Sequence, residues 1–348
     1  MAFSWKLYGD GKTPPLGEAV APDERLSWPL TVGIGAQHVV AMFGATFVFP
    51  LIMGLDANLA IMMSGVATII FLLIVKGQVP SYLGTSAAFV GGVLAVRAQS
   101  DSDAAVLGAI LVSGVVLALA GVFIHFVGPR AINAALPPAV TGAVVMLIGF
   151  NLAPVVAGVY WPQDQWVGLA TMTFVIIASL LLRGFWARIS ILLGLIFGYL
   201  LSVLLDVTTG QITSFDPNTG EETTRDRINF DAVGQADWIG LPEFTTPTFS
   251  VNFSLLVLPA VIALIAENAG HVKAVAAMTK RDLDPVMGRA VFADGVATVV
   301  ATSVGGSPPR RTPRTSASWP PRASTPPRPT TWPRSWRSCW AWCPSSAR

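Results

Sequence analysis

Eight predominantly apolar stretches run along the chain, at about 28–54, 58–75, 104–128, 136–158, 166–182, 187–205, 251–270 and 287–304. Each is long enough to cross a hydrocarbon layer of about 30 Å as a helix. In lipid, every backbone N–H and C=O must find its partner inside the segment, which leaves helices or closed barrels as spanning structures. The lengths and the lack of alternation select helices, so the chain reads as an all-α polytopic membrane protein. Composition agrees, because 53% of residues are apolar and only 12% charged, whereas a soluble domain carries about 25% charged residues.

Several classes are excluded at this point. Only two cysteines occur, Cys339 and Cys343, too few and too late in the chain for a disulfide scaffold or a cysteine zinc site. No motif for phosphate, dinucleotide or nucleic acid is visible. The expectation is a protein that is not an enzyme, with no metal, no cofactor and no nucleic-acid partner. Residues 1–27 are polar and lack the continuous apolar core of a signal peptide, so they should remain on the side where they are made.

A ninth, weaker stretch at 81–97, PSYLGTSAAFVGGVLAV with its preceding proline, is short and rich in Gly, Ser and Ala. Non-helical backbone at membrane depth is tolerated only where protein or an aqueous cavity covers it. Residues Tyr82 to Phe89 therefore read as an interrupted span lining a site, with a close-packed helix of small residues as the other reading. Nine spans with a cytoplasmic N-terminus place eleven Lys and Arg inside and three, Arg97, Arg225 and Arg227, outside. That asymmetry satisfies the positive-inside rule and puts the acidic loop 206–250 on the outer face.

Ionisable residues inside spans usually mark a pathway, since a charge at a helix centre costs roughly 2.5–3.5 kcal/mol on insertion scales. Glu267, in LPAVIALIAENAGHVKAV, is the leading exception, with His271 four residues later on the same helical face. A buried carboxylate can accept two N–H bonds from a flat heterocycle and is poorly held when charged and empty. A histidine one turn away can orient it or relay its proton. The alternative is a Glu–His pair that only satisfies itself between helices. His38 sits alone on an apolar helix and is more simply read as hydrogen-bonded within the bundle, while Asp294, in VFADGVATVV, reads equally as a pathway or a packing carboxylate.

Residues 308–348 are different material. They hold 10 of the 26 Pro, 8 of the 22 Lys and Arg, 5 of the 11 Trp, both Cys and no acid. The formal charge of +2 conceals −6 over residues 1–307 and +8 over this tail. Disordered linkers are poor in aromatics, whereas Pro, Arg, Ser, Thr and Trp together are what GC-rich DNA yields when read out of frame. A frame slip near Pro309 is the reading adopted.

Four stretches, QHVVAMFGATFVFPLIMG, KGQVPSYLGTSAAF, AENAGHVKAVAAMTKRDLDP and FADGVATVVATSVGGSP, resemble the nucleobase-ascorbate transporter family and, within it, the uracil permeases. The resemblance runs from about 28 to 308. It implies a fold of fourteen spans in two inverted repeats of seven, divided into core and gate domains, a general design for transporters with broken helices at the midplane. Here it would be partial: core spans 1–4 over 28–128, gate spans 5–7 over 136–205, the outer loop 206–250, core spans 8–9 over 251–307, then the tail 308–348.

The resemblance further implies that uracil binds in the core between short strands interrupting the third and tenth spans. Glu267 would accept hydrogen bonds from the ring with His271 supporting it, Ala45 would lie against the ring, and Ser86 and Ala87 would offer backbone. A bulky aromatic is familiar where Ala87 stands. The family's tenth span, with a second glutamate, is missing after Pro308, yet shifting the tail by one base allows Thr-Thr-Tyr-Ala under Arg310 to Pro313 and Glu-Asn-Ile-Gly-Val-Met-Ala-Ala under Arg314 to Pro321. The expected function is a proton-coupled uracil importer of the inner membrane, partnered by nucleobase, protons and lipid. A homodimer is compatible with that reading. A purine or xanthine permease and an anion transporter or channel on the same plan are the alternatives, and the 348-residue chain itself is expected not to transport.

Overall fold

The computed structural model describes residues 5–12, 20–128, 137–182, 186, 189–215, 221–229, 240, 242 and 244–313. Ten α-helices account for most of them: α1 Trp28–Ile52, α2 Ala57–Ile74, α3 Val90–Arg97, α4 Asp103–Val127, α5 Pro138–Val155, α6 Gln165–Leu181, α7 Ser190–Thr209, α8 Val251–Val257, α9 Ala260–Thr279 and α10 Met287–Ser303. Six short strands, β1 Lys6–Leu7, β2 Glu24–Arg25, β3 Ser81–Thr85, β4 Ile212–Phe215, β5 Glu222–Arg225 and β6 Pro309–Pro313, pair as β1–β2, β3–β6 and β4–β5. Seven helical segments among the described residues are long and apolar enough to cross a membrane, and Ala87–Arg97 and Gln165–Leu181 are shorter apolar helices. Large apolar side chains such as Phe126, Phe150, Leu181 and Val207 are exposed, which suits a lipid-facing surface and would be costly in water. The molecule is a mostly helical, multi-pass membrane protein.

Helix limits follow local chemistry. The Asp56 carboxylate caps α2, accepting from the backbone N–H of Asn58 at 2.7 Å and Leu59 at 3.2 Å, and Ser102 and Asp164 cap α4 and α6 in the same way. Each satisfies donors that a helix start otherwise leaves open. The apolar stretch expected to end near 270 continues helically to Thr279, so Lys273 lies in α9 rather than in a loop. The residues joining α4 to α5, at 129–136, and the tail at 314–348 lie outside the described residues.

Helix α4 packs against α10 at backbone distance. A Cβ at Gly121 would overlap the Phe292 backbone, and one at Gly295 would overlap the Ala118 backbone. Gly114 and Gly288 extend the seam toward its two ends, meeting Thr298 and His125. Small residues at a helix interface permit this approach and gain close van der Waals packing in lipid, where no hydrophobic drive separates helix from tail. Around this seam lies one apolar cluster containing Phe89, Val93, Ile110, Leu117, Leu264 and Val291. A second, with Phe71, Leu83, Val272, Val275 and Met287, ties α2 and β3 to α9 and α10.

Contacts between element ends sort the ends into two faces. Arg97, at the end of α3, donates to Met53 O at 3.2 Å and Gly54 O at 3.0 Å just past α1, and pairs with Asp103 at the start of α4. At the opposite face, Asp23 before α1 meets Arg281 after α9 at 2.8 Å. Arg227 bridges Asp164 at the start of α6, at 2.8 Å, and Asp206 near the end of α7, at 3.0 Å. Burial opposes the charge on that guanidinium, but its hydrogen bonds to the two carboxylates outweigh this and raise its pKa above the ordinary value.

Candidate functional site

The third apolar stretch is interrupted. Ser81–Thr85 is a strand, Ala87–Phe89 a 3-10 turn capped by the Ser86 hydroxyl, which accepts from Ala88 N at 3.3 Å, and only then does α3 begin. The structure thus selects the interrupted-span reading over a helix of small residues. Backbone in this conformation has polar groups that cannot be left bare at membrane depth, at a cost of about 1–3 kcal/mol for each buried unsatisfied group. Helix α2 serves one edge: Ser64 Oγ donates to the Leu83 carbonyl and lies 3.1 Å from Tyr82 Oη, while Leu83 N donates to Thr68 Oγ1 at 3.0 Å.

Strand β6 serves the other edge. It runs antiparallel to β3 with Thr85 opposite Pro309, Gly84 opposite Arg310, Leu83 opposite Arg311, Tyr82 opposite Thr312 and Ser81 opposite Pro313. Because Leu83 spends both its backbone groups on α2, the even-numbered residues Tyr82, Gly84 and Ser86 are the ones that face β6, and Ser86 N donates to Pro308 O at 2.9 Å. Pro309 and Pro313 therefore fall at positions whose missing N–H points away from the ladder, the side on which an edge strand tolerates them. Gly84 lies on α1: a Cβ there would come within 2.9 Å of Thr46 Oγ1.

Glu267 sits at the middle of α9, and both it and Asn268 are only 3% exposed. The whole turn Ala266–Ala269 is buried, and His271, one turn on, is half-buried. Around this helix pack α4, α5, α10, β6 and the 3-10 turn Ala87–Phe89. The sequence-selected residues Ser86 and Ala87 are buried in or beside that turn, so the structure brings their segment next to the helix of Glu267 and His271. Ala45 is half-buried on α1 next to Thr46, on the helix that backs β3.

The other two candidates lie on α1 and α10. His38 Nδ1–H donates to the Ile34 carbonyl at 2.7 Å within its own helix α1, and it lies about two turns before Ala45. Asp294 is 3% exposed in α10, and its carbonyl accepts from Thr298 Oγ1 at 2.8 Å. A cleft of about 440 Å3 lined by Trp5, Asp23, Lys76, Gln78, Arg281 and Asp282 opens at the Asp23–Arg281 face. It is open and mixed in charge, at the end of α9 rather than at Glu267. Hydropathy did not single out Ser64, Thr68 or the strand at 309–313; the i, i+4 spacing of Ser64 and Thr68 in an apolar helix is the signal for the first two.

A buried carboxylate on an enclosed helix turn, beside a broken span whose backbone is held from both edges, is the arrangement expected of polar groups kept at depth in a multi-pass membrane protein. The pattern of the Permease family (Xan_ur_permease) matches residues 30–312, and the chain belongs to that family. It is similar to "Putative pyrimidine permease RutG" of Escherichia coli strain K12, 43% identical over 295 residues that cover 83% of this chain and 64% of that protein. It is also similar to "Uracil permease" of Paenibacillus larvae, 31% identical with 82% and 66% covered, and to "Uracil permease" of Escherichia coli strain K12, 32% identical with 83% and 65% covered. The chain spans just under two-thirds of the length of these relatives.

Proposed function

We propose that the protein encoded by this gene is a proton-coupled importer of uracil or a closely related pyrimidine in the inner membrane. The observation that carries the reading is Glu267, buried at the centre of α9 beside the Ser86–Ala87 turn. It gains support from relatives named as uracil and pyrimidine permeases. Glu267 accepts the ring N–H groups, His271 orients the carboxylate, Ala45 contacts the ring face, and the backbone at Ser86 and Ala87 meets its edge. A proton taken from the outer face accompanies the substrate, and rocking of α1–α4 with α8–α10 against α5–α7 releases both inward. The shared faces of the helix ends support nine crossings, and the Lys and Arg distribution supports a cytoplasmic N-terminus.

The 348-residue chain itself does not transport. Its β6 supplies backbone opposite β3, but residues 310–348 are read out of frame and the second substrate glutamate lies under Arg314. Two experiments decide this. The nucleotide sequence around Pro309 is expected to hold the shifted motif, and its absence there rules out the slip. In liposomes, the frame-restored protein is expected to take up labelled uracil saturably and faster as outside pH falls, and Glu267→Gln is expected to abolish uptake. Uptake by the 348-residue chain alone, or uptake indifferent to pH, overturns the corresponding part of the proposal.

A further inference from the structure

One polar residue at membrane depth belongs to neither Glu267 nor the strand pair. Asn151 is the central residue of the 19-residue apolar segment Gly142–Tyr160. An amide there is expensive unless it meets protein, water or a ligand. Among the described residues its side chain has no hydrogen-bond partner, and it is exposed.

Its position on the helix says which way it faces. Val144, Ile148, Leu152, Val155 and Val159 are the more buried residues of this segment, and Leu152, Val155 and Val159 pack into the cluster with Phe89 and Leu264. Asn151 stands three residues after Ile148 and four before Val155, at the edge of that stripe. The opposite face, with Met146 62% and Phe150 71% exposed, is the one turned away from this packing. Asn151 leans on α3 so closely that a Cβ at Gly91 would overlap its amide, and Gly91 is only two residues past the 3-10 turn of the candidate site.

The backbone around Asn151 is irregular as well. Pro154 interrupts the hydrogen-bond ladder, and Val156–Tyr160 continues as a π-turn closed by Trp161 N to Val156 O at 2.8 Å. Proline and π-turns open a helix and leave carbonyls seeking partners. Irregular backbone at membrane depth is tolerated where it lines protein or water.

We infer that Asn151 is a pathway residue, the polar group that α5 presents to an aqueous passage beside the site of Glu267. An amide side chain offers one acceptor and two donors, which matches the adjacent C=O and N–H of a cyclic imide such as a pyrimidinedione. This last step rests on the reading of the chain as a pyrimidine carrier, whereas the aqueous passage does not.

The test uses the full 348-residue chain in membrane vesicles, with Cys339→Ser and Cys343→Ser removing its native thiols. Asn151→Cys, Phe150→Cys and Met146→Cys are each treated with a charged, water-soluble thiol reagent. Only the thiolate reacts, and an apolar setting raises a thiol's pKa, one unit being tenfold in thiolate, so Asn151→Cys is expected to react at least about tenfold faster than the other two. Equal rates at the three positions overturn the inference. If Asn151→Cys does not reach the membrane, Ile148→Cys, one turn earlier on that stripe, takes its place in the comparison. Labelling reads water at α5 whatever the solute, so its outcome is separate from that of the uracil uptake assay.

Discussion

Thr85 Oγ1 and Ser307 Oγ lie 2.8 Å apart although 222 residues separate them in the chain. Their hydrogen bond closes the end of the β3–β6 pair beside the turn at Ser86, so the site's shape depends on a contact between the chain's first third and its last described residues. A double-mutant cycle with Thr85→Val and Ser307→Ala, followed by unfolding in mixed detergent micelles, is expected to give a coupling of about 1 kcal/mol. Additive single effects would mean that the two strands are held by backbone alone.

Leu83 is served by α2 through both of its backbone groups. Thr68→Val keeps shape and removes the acceptor, leaving a buried N–H bare at about 1–3 kcal/mol. Thr68→Ser restores the oxygen and is expected to recover most of that loss. Amide exchange at Leu83, slow in the parent, should accelerate in Thr68→Val and slow again in Thr68→Ser.

At the α4–α10 seam, Gly121→Val and Gly295→Val force backbones apart, since each added Cβ would overlap the facing backbone rather than a movable side chain. Each is expected to destabilise by at least about 2 kcal/mol, at the upper part of the range for overpacked sites. Gly142→Val, with nothing within 4 Å of the added Cβ, is the matched control and should change stability little. Equal melting of the three variants would contradict the seam.

The paired Arg227 and the paired Arg281 should differ sharply in worth. Arg227 and its partners Asp164 and Asp206 are 13–16% exposed, so Arg227→Ala leaves two carboxylates without their cation and is expected to cost about 3 kcal/mol. The Asp23–Arg281 pair is 49–56% exposed, and Arg281→Ala is expected to cost no more than about 0.5 kcal/mol, less in high salt. Unfolding curves at low and high ionic strength separate the two.

The sequence by itself determined the class of fold and where most helices run. Hydropathy and length are local properties, and lipid enforces them residue by residue, so the apolar stretches became helices, most with ends shifted by a few residues and the one at 251–270 extended to Thr279. Glu267 was legible for the same reason: a carboxylate inside an apolar run stands out by its cost alone. The weak stretch at 81–97 declared its interruption through Pro80, Gly84 and its small residues.

Only the tertiary structure decided what completes the site. Residues 309–313 carry prolines and arginines that no local rule reads as a strand, yet they pair with β3, whose backbone needs partners at membrane depth, in a register that turns the prolines outward. Asn151 was passed over because a single amide barely alters the hydropathy of its span; its meaning came from its place at the edge of the stripe with Ile148 and Val155 and from its closeness to Gly91. Likewise, the spacing of Gly114, Gly121, Gly288 and Gly295 became informative only once α4 and α10 lay side by side. Local chemistry fixes the helices, while long-range backbone satisfaction and close packing select which of their residues meet.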